Sequence, residues 1–391
     1  MSKKILIYLY ERELAPKGGP VGYNYNLKCQ LDKMGVDGIS FIKTNKGDVH
    51  ELTNNINKIR PLWLKKTIQT IKRIANYYLL LFGGKGKAVV DLDKYDIVHF
   101  HSVVSMYRCR GSLEHYKGQV VLTSHIPTKA TKEIEMRLNT FEKVAFHWLY
   151  KNLGKMDVYA FNRADHIVFP CEGAEEPYLN NWPYYKDFKE KNKQKYHYLL
   201  TGINPCVAKT SKALIRDRYK IPNDAFIICF VGRHNLIKGY DQLKEIGEEL
   251  LRYQDVYVLI AGEEGPLYHL EHERWIEVGW TNDPHSIIAA SDVFVLPNKE
   301  TYFDLIMLEV LSLGKLIVAS NTGGNKYFSN FNECGILLYN SKEEAVSLIK
   351  KIMDLTSEER EKLGEANKKM FGEYFTSEIF AKNYIKLINS L

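Results

Sequence analysis

Ala225-Phe226-Ile227-Ile228-Cys229-Phe230-Val231-Gly232-Arg233-His234 decides the fold. Ile227, Ile228, Phe230 and Val231 make a nearly continuous apolar run, with no alternating polar face. Such a strand is covered on both sides, which is the condition of a parallel sheet. Gly232-Arg233-His234 then sits at its carboxyl end, and Lys238-Gly239 precedes a helix through Leu243, Ile246 and Leu250. Residues 256–261 and 275–278 read as further strands. Residues 287–290 read as a short helix leading to a strand at 293–296. Residues 316–319 form the last clear strand, closed by Ser320-Asn321-Thr322-Gly323-Gly324. Strand alternating with helix is the pattern of an open parallel α/β sheet.

Working outward, the first half repeats that pattern. Residues 4–10 read as a strand, and Gly18, Gly19 and Gly22 as a glycine-rich turn. Residues 24–34 read as a helix ended by Gly35, and residues 36–42 as a returning strand. The glycines suit either a sharp turn or close backbone approach to a ligand. They do not spell GxGxxG, so a dinucleotide is not implied. Residues 96–101, 120–123 and 165–170 are further strands. His99, His101 and His125 fall near strand ends, where open sheets bind ligands. A packing role and a ligand role are both open for each. Two such sheets are expected to face each other across a cleft, the usual place for a ligand. The expected domains are residues 1–204, residues 205–374 and a final helix, 375–391, returning to the first. Residues 201–205 look like the turn between the first two.

Composition narrows the field. The chain has 391 residues, 45% hydrophobic and 26% charged, with 26 glycines and 12 prolines. That excludes a disordered, collagenous or disulfide-stapled protein. A net charge of +7 allows an anionic ligand or membrane face, but the basic residues form no recognised nucleic-acid motif, so no nucleic acid is expected. The six cysteines contain no CxxC pair and read as free thiols in a reducing compartment. The opening apolar run is too short for a signal peptide, and no run of 18 apolar residues spans a bilayer. Asp91-Leu92-Asp93 precedes its strand rather than ending it, so no metal site is expected.

Three features bear on chemistry. Arg233 and Lys238 follow one strand end, and a guanidinium fork with a mobile ammonium suits a pyrophosphate. A solvated basic pair has the same spacing. Glu309, within Leu305-Ile306-Met307-Leu308-Glu309-Val310-Leu311, reads as a carboxylate among apolar neighbours, suited to two ribose hydroxyls or to a helix surface. Residues 61–90 hold six basic residues and no acidic one. Leu64, Ile68, Ile71, Ala75, Tyr78 and Phe82 make one helical stripe, with Lys65, Lys66, Lys72 and Arg73 off it and Trp63 and Tyr77 as anchors. Residues 64–82 thus suit an anionic membrane surface. Burial of the stripe on the domain's own sheet is the alternative.

Taken in order, these residues resemble the retaining GT-B glycosyltransferases of the GT4 family. The likeness covers nearly the whole chain and is strongest at 226–324. It is carried by Gly18-Gly19 and by Asp96-Ile97-Val98-His99-Phe100-His101. Val231-Gly232-Arg233 with Lys238-Gly239 carries it in the second half. Ala289-Ala290-Ser291-Asp292-Val293-Phe294-Val295-Leu296-Pro297 and residues 308–324 complete the set. The resemblance implies two Rossmann-like domains and no cofactor beyond a UDP- or GDP-linked sugar as substrate. It implies metal-independent transfer of a hexose, with retention, to a saccharide or lipid-linked acceptor in surface polysaccharide or glycolipid synthesis. Arg233 and Lys238 would hold the diphosphate and Glu309 the ribose. Gly18-Gly19 would approach phosphate and acceptor, and His125 would reach the donor sugar. The loop Tyr302-Phe303-Asp304-Leu305 would offer backbone N–H groups. A cytoplasmic location, peripheral on the membrane face, follows from the same resemblance and the basic helix.

One departure stands out. The family places Glu seven residues before the second Glu, with Gly-Phe-Gly after it. Here Thr301 takes the first position and Tyr302-Phe303-Asp304 the run. Thr301 bonds a sugar hydroxyl more weakly than Glu, and Asp304 is the substitute carboxylate at hand. The departure keeps open a second reading, a catalytically inactive GT-B scaffold that partners another glycosyltransferase.

Overall fold

Apolar, β-branched and aromatic runs become strands where the sequence concentrates them. The first sheet holds β1 (Ile5–Tyr8), β2 (Ile39–Phe41), β3 (Ile97–Phe100), β4 (Gln119–Leu122), β5 (His166–Phe169) and β6 (Tyr196–Tyr198), in the order β2-β1-β3-β4-β5-β6. The second holds β7 (Phe226–Val231), β8 (Val256–Ala261), β9 (Trp275–Gly279), β10 (Val293–Leu296), β11 (Leu316–Ser320) and β12 (Ile336–Tyr339), in the order β12-β11-β10-β7-β8-β9. Neighbouring strands β1 to β5, and all neighbours of the second sheet, pair parallel. In this computed structural model the described residues are 3–9, 14–16, 19–42, 61–126, 129–136 and 138–391.

Contacts divide the chain into two units. One comprises Met1–Ala15, Leu31–Phe169 and Tyr178–His197; the other comprises Pro16–Gln30, Pro170–Pro177 and Tyr198–Leu391. In the second unit, Phe230, Val258, Ile260, Val295 and Val318 of the sheet share a buried core with Leu243, Ile246, Ile349 and Ile352 of the covering helices Tyr240–Leu250 and Lys342–Asp354. Each fully buried side chain of this size contributes about 1.5–3 kcal/mol of transfer free energy. Strand order reverses between β7 and β10 there, and between β1 and β3 in the first sheet. Open sheets leave a ligand crevice at such reversals, beyond the strands' carboxyl ends.

Three expectations need correction, and one alternative falls away. β6 and β12 were hidden because each is short and follows a polar or charged stretch, and an edge strand needs only one partner. The helix after β1 runs Gly19–Lys33, so Gly22 lies inside it rather than in a turn. Pro20 fits there because a first helical turn needs no N–H from it. Glu309 is only partly buried, as detailed below. The stripe on the helix Leu62–Phe82 is mostly exposed rather than laid on the sheet: Ile71, Tyr78 and Phe82 face outward, as do Trp63 and Leu79. What docks this helix is its other side. Leu80 is buried, Tyr77 meets Tyr150 edge-on, and Arg73 forms a two-point ion pair with fully buried Glu142. Arg73 is therefore committed inward. Trp148, itself exposed, packs beside Tyr78 and Phe82 and widens the exposed apolar patch.

Candidate active site

The loop leaving β7 is pinned at both ends. Gly232 N–H donates to Ala261 O at 2.9 Å, and the next-but-one residue, His234, is buried and stacked on Tyr240 with ring centroids 3.9 Å apart. Between these anchors Arg233 projects into solvent, with no ion-pair partner among the described residues. Lys238 N–H donates to Asn235 Oδ1 at 2.9 Å, closing the loop's turn. Gly239 follows in the left-handed region (φ 66°), packed so tightly on the Pro297 carbonyl that a Cβ would overlap it. Only glycine meets both demands. The result sets the loop after β7 against the loop after β10, at the strand-order reversal.

The Lys238 ammonium there pairs with Asp304, which also accepts from Asn298 Nδ2 at 2.7 Å. Asp304 is the residue preceding the helix Leu305–Ser312, and its side chain makes no capping bond to that helix. The first backbone N–H groups, beginning with Leu305, thus lack a side-chain cap, and an uncapped helix start favours anions. Lys238 and this helix start form one positive locus with a single carboxylate in it.

Thr301, Tyr302 and Phe303 are buried. Phe303 packs on Phe328, Tyr327 and Phe375 at centroid distances of 5.8, 6.4 and 6.4 Å. Gly323, with φ 50°, and Gly324 lie so close to the Thr301 and Tyr302 carbonyls that a Cβ on either would collide. The carboxylate of Glu176 accepts from Gly323 N–H and from Lys326 Nζ, the latter at 2.6 Å. The loop that carries the departure is therefore clamped by aromatic faces on one side and glycine backbone on the other.

Glu309 is not deeply buried: its side chain keeps 25% of its surface, at the edge of its helix. His285 Nε2 lies 3.1 Å from its Oε2. The Cys206 sulfur and the Glu309 carboxylate together hold the His285 imidazole up at about 10. Cys206, His285 and Glu309 place their donor atoms within 4.8 Å of one another. Sequence reading passed over Cys206 and His285 because nothing in their spacing connects them. The polar turns at Asn204-Pro205 and Asp283-Pro284 were the only local signal.

In the first unit, His99 and His101 extend along β3 and its end, and His125 follows β4. His101 Nδ1 and His125 Nε2 are 2.7 Å apart, and His99 Nε2 and Thr123 Oγ1 are 2.8 Å apart. The rings of His101 and His125 stack at 5.0 Å. Burial pushes His99 and His125 down to about 3 and holds His101 well below its ordinary value. The trio is neutral at physiological pH. His125 sits at φ 56°, a conformation that costs a non-glycine residue roughly 1–3 kcal/mol and clusters at functional sites. Of the two glycines before the first helix, Gly18 lies outside the described residues. Gly19 opens the helix at φ 72° with open space where a Cβ would stand. Tyr23, one turn on, packs edge-on against Phe380 at 4.7 Å.

Residues 211–370 match the family described as glycosyl transferases group 1. Among curated relatives, the glycogen synthase of Bacillus licheniformis is 23% identical over 274 residues, covering 66% of this chain and 52% of its own length. The O-antigen biosynthesis glycosyltransferase WclY of Escherichia coli is 24% identical over 220 residues, covering 51% of this chain and 60% of its own. The chain thus spans about half to three fifths of these relatives. Among solved structures, Anabaena HepE in complex with UDP and glucose superposes with a TM-score of 0.64 at 12% identity, covering both chains in full. With its two six-stranded, chiefly parallel sheets, the chain has the GT-B fold, and residues 211–370 match the glycosyl transferases group 1 family.

Proposed function

We propose that this protein is a retaining, metal-independent hexosyltransferase. It moves a sugar from a nucleotide-sugar donor to a saccharide or lipid-linked acceptor, in the synthesis of surface polysaccharide or glycolipid. The observation that carries the proposal is the positive locus at the β7–β10 reversal. There Lys238 lies beside an uncapped helix start within a glycosyl transferase group 1 domain. As the glycosidic bond to the donor breaks, negative charge grows on the departing diphosphate. Lys238 and the N–H groups at Leu305 are held donors beside such charge, which need little reorganisation during reaction, and the exposed Arg233 side chain is free to swing onto the diphosphate. Glu309, steadied by His285, takes the ribose hydroxyls. Of the Gly18-Gly19 pair, Gly19 at the opening of its helix would approach phosphate and acceptor, Gly18 lying outside the described residues. His125, neutral and conformationally constrained, donates to or accepts from an uncharged sugar hydroxyl. Thr301 is buried, so Asp304 is the carboxylate left to address the hexose once a diphosphate takes Lys238 from it. HepE's complex with UDP and glucose supports a UDP-linked donor over a GDP-linked one. WclY's role in O-antigen biosynthesis supports a surface saccharide as acceptor.

The experiment is a donor screen with the purified chain and acceptor extracts, reading released nucleoside diphosphate and the anomeric configuration of the product by NMR. A UDP-sugar that turns over with retention, and fails in Lys238→Ala, is expected. Inversion, or equal turnover in the variant, would remove the mechanism.

One observation favours the second reading, an inactive GT-B partner. Lys238 is already engaged in an ion pair with Asp304, which stands where the family run has glycine. Stable capture of another glycosyltransferase, with no transfer by the chain alone, would establish it.

For the acceptor side, we propose that the helix Leu62–Phe82 rests on an anionic cytoplasmic membrane face. Its exposed Trp63, Ile71, Tyr78, Leu79 and Phe82, with Lys66 and Lys72, support that reading. No described helix is long and apolar enough to cross a membrane. Flotation with anionic vesicles should fall in a Lys65/Lys66/Lys72 charge-removed variant. Arg73 is left intact because it holds the helix in place.

A further inference from the structure

Three donors of different chemistry converge on the second unit. Cys206 supplies a thiol, His285 an imidazole nitrogen and Glu309 a carboxylate oxygen, all within 4.8 Å of one another. Zinc-to-ligand bonds of about 2.0–2.3 Å at tetrahedral angles separate ligand atoms by roughly 3.3–3.8 Å. The His285–Glu309 separation of 3.1 Å is already near that spacing, and small side-chain rotations close the rest.

The backbone around the three is built to keep them there. Cys206 N–H donates to Ser312 Oγ at 3.1 Å, and Ser312 Oγ donates to the Glu309 carbonyl at 2.9 Å. The cysteine is thereby tied to the helix that carries the glutamate. Three and four residues after Cys206, the N–H groups of Lys209 and Thr210 donate to Ser286 Oγ at 2.9 and 2.8 Å. Ser286 follows His285, and its hydroxyl donates to Asp283 Oδ2 at 2.6 Å. The segment 206–210 is therefore stitched to both helices whose side chains complete the trio. Supporting hydrogen bonds of this kind are what fix the geometry of a metal site.

We propose that Cys206, His285 and Glu309 form a site for one zinc-class divalent ion, with a fourth position open to water. Thiolate and imidazole select zinc or cobalt over magnesium or calcium, which prefer all-oxygen sets. Three protein ligands with an open fourth position is the arrangement of an exchangeable rather than a purely structural site. The consequence for nucleotide binding rests on the ribose role proposed for Glu309. The carboxylate cannot serve the ion and the ribose at once, so ion and nucleoside diphosphate exclude each other. The ion would then hold the domain in a donor-free state.

The test uses the full chain after chelation, titrated with Co²⁺ and then with Zn²⁺. Thiolate-to-cobalt charge-transfer absorption at one ion per chain, displaced by Zn²⁺, is expected. Cys206→Ser should abolish the charge-transfer band, and His285→Ala should weaken binding at least about tenfold. Absence of the band in the wild type, or its persistence in Cys206→Ser, would overturn the site. Circular dichroism of both variants checks that they fold. At equal free-ion concentration, corrected for chelation by UDP itself, saturating UDP should weaken ion binding at least about tenfold, by reciprocal linkage. Ion binding that depends on Cys206 and His285 but ignores UDP supports the site and instead removes the ribose role of Glu309.

Discussion

The carboxyl ends of the two sheets carry different electrostatics. Beyond β7 and β10 stand Arg233 and Lys238, with Asp304 and an uncapped helix start. Beyond β3 and β4 stand His101 and His125, stacked on each other with His99 tilted against His101, and held neutral by burial. A charged leaving group and an uncharged sugar need different surroundings. Fixed charge stabilises the first, while neutral groups exchange hydrogen bonds with the second without competing for the anion. On the proposed function, the same α/β architecture would supply two chemistries, through residues placed past strand carboxyl ends in each sheet.

Four measurements sharpen or break this contrast. The largest effect is expected from Phe303→Ala, which empties the aromatic clamp on the loop before Asp304. A loss of about 3–5 kcal/mol in the stability of the second unit is expected in denaturant unfolding. A loss under about 1 kcal/mol would mean the loop is held by something other than ring packing.

Next come the cations. Arg233→Ala and Lys238→Ala should each lower turnover at least about tenfold and weaken nucleoside diphosphate binding. Near-wild-type kinetics in both would end the charged-site assignment. Carried into the first unit, the parallel change His125→Ala should reduce turnover while leaving UDP affinity within about twofold.

Acid should act on the neutral site. The folded values of His99 and His125 lie below that of a free histidine, so the unfolded chain binds more protons below about pH 6.5. Stability is then full above that pH and is lost as pH falls toward 3. The slope is at most about 1.4 kcal/mol per pH unit for each histidine. Buried Asp157, raised to about 6, works in the opposite sense below that pH and flattens the slope. Thermal unfolding of the wild type against His99→Gln/His125→Gln between pH 7 and 5 reads the difference. Parallel curves would show that these rings do not titrate on unfolding.

The smallest effect separates the roles of Asp304. Asp304→Asn removes the carboxylate from Lys238 without changing its size, and UDP should bind a few-fold tighter. If Asp304 also addresses the hexose, turnover falls in the same variant. Unchanged UDP affinity would mean the ion pair does not compete with the diphosphate.

Much of this was legible from residues alone, for definite reasons. β8 and β10 span the residues expected because each is a continuous apolar run bounded by polar turns. Arg233, Lys238 and Glu309 stood out because charge beside an apolar run is conspicuous. The partners of those residues were not legible. Lys238 meets Asp304, and Glu309 meets His285 and Cys206, only because chain segments far apart in sequence are folded together. The exposed face of Leu62–Phe82 was likewise unreadable, since periodicity identifies a stripe but not what it faces. There the buried carboxylate of Glu142, drawing Arg73 inward, decides the orientation.

The clamp around Phe303 has a consequence for how a donor gets in. A loop wedged between benzene rings and bare peptide has little freedom to swing, so admission must be a matter of side-chain exchange. On the proposed function, Asp304 would release the lysine, the incoming phosphates would take it, and the main chain would stay put. Selectivity in such a pocket would resemble a lock whose tumbler is a single carboxylate.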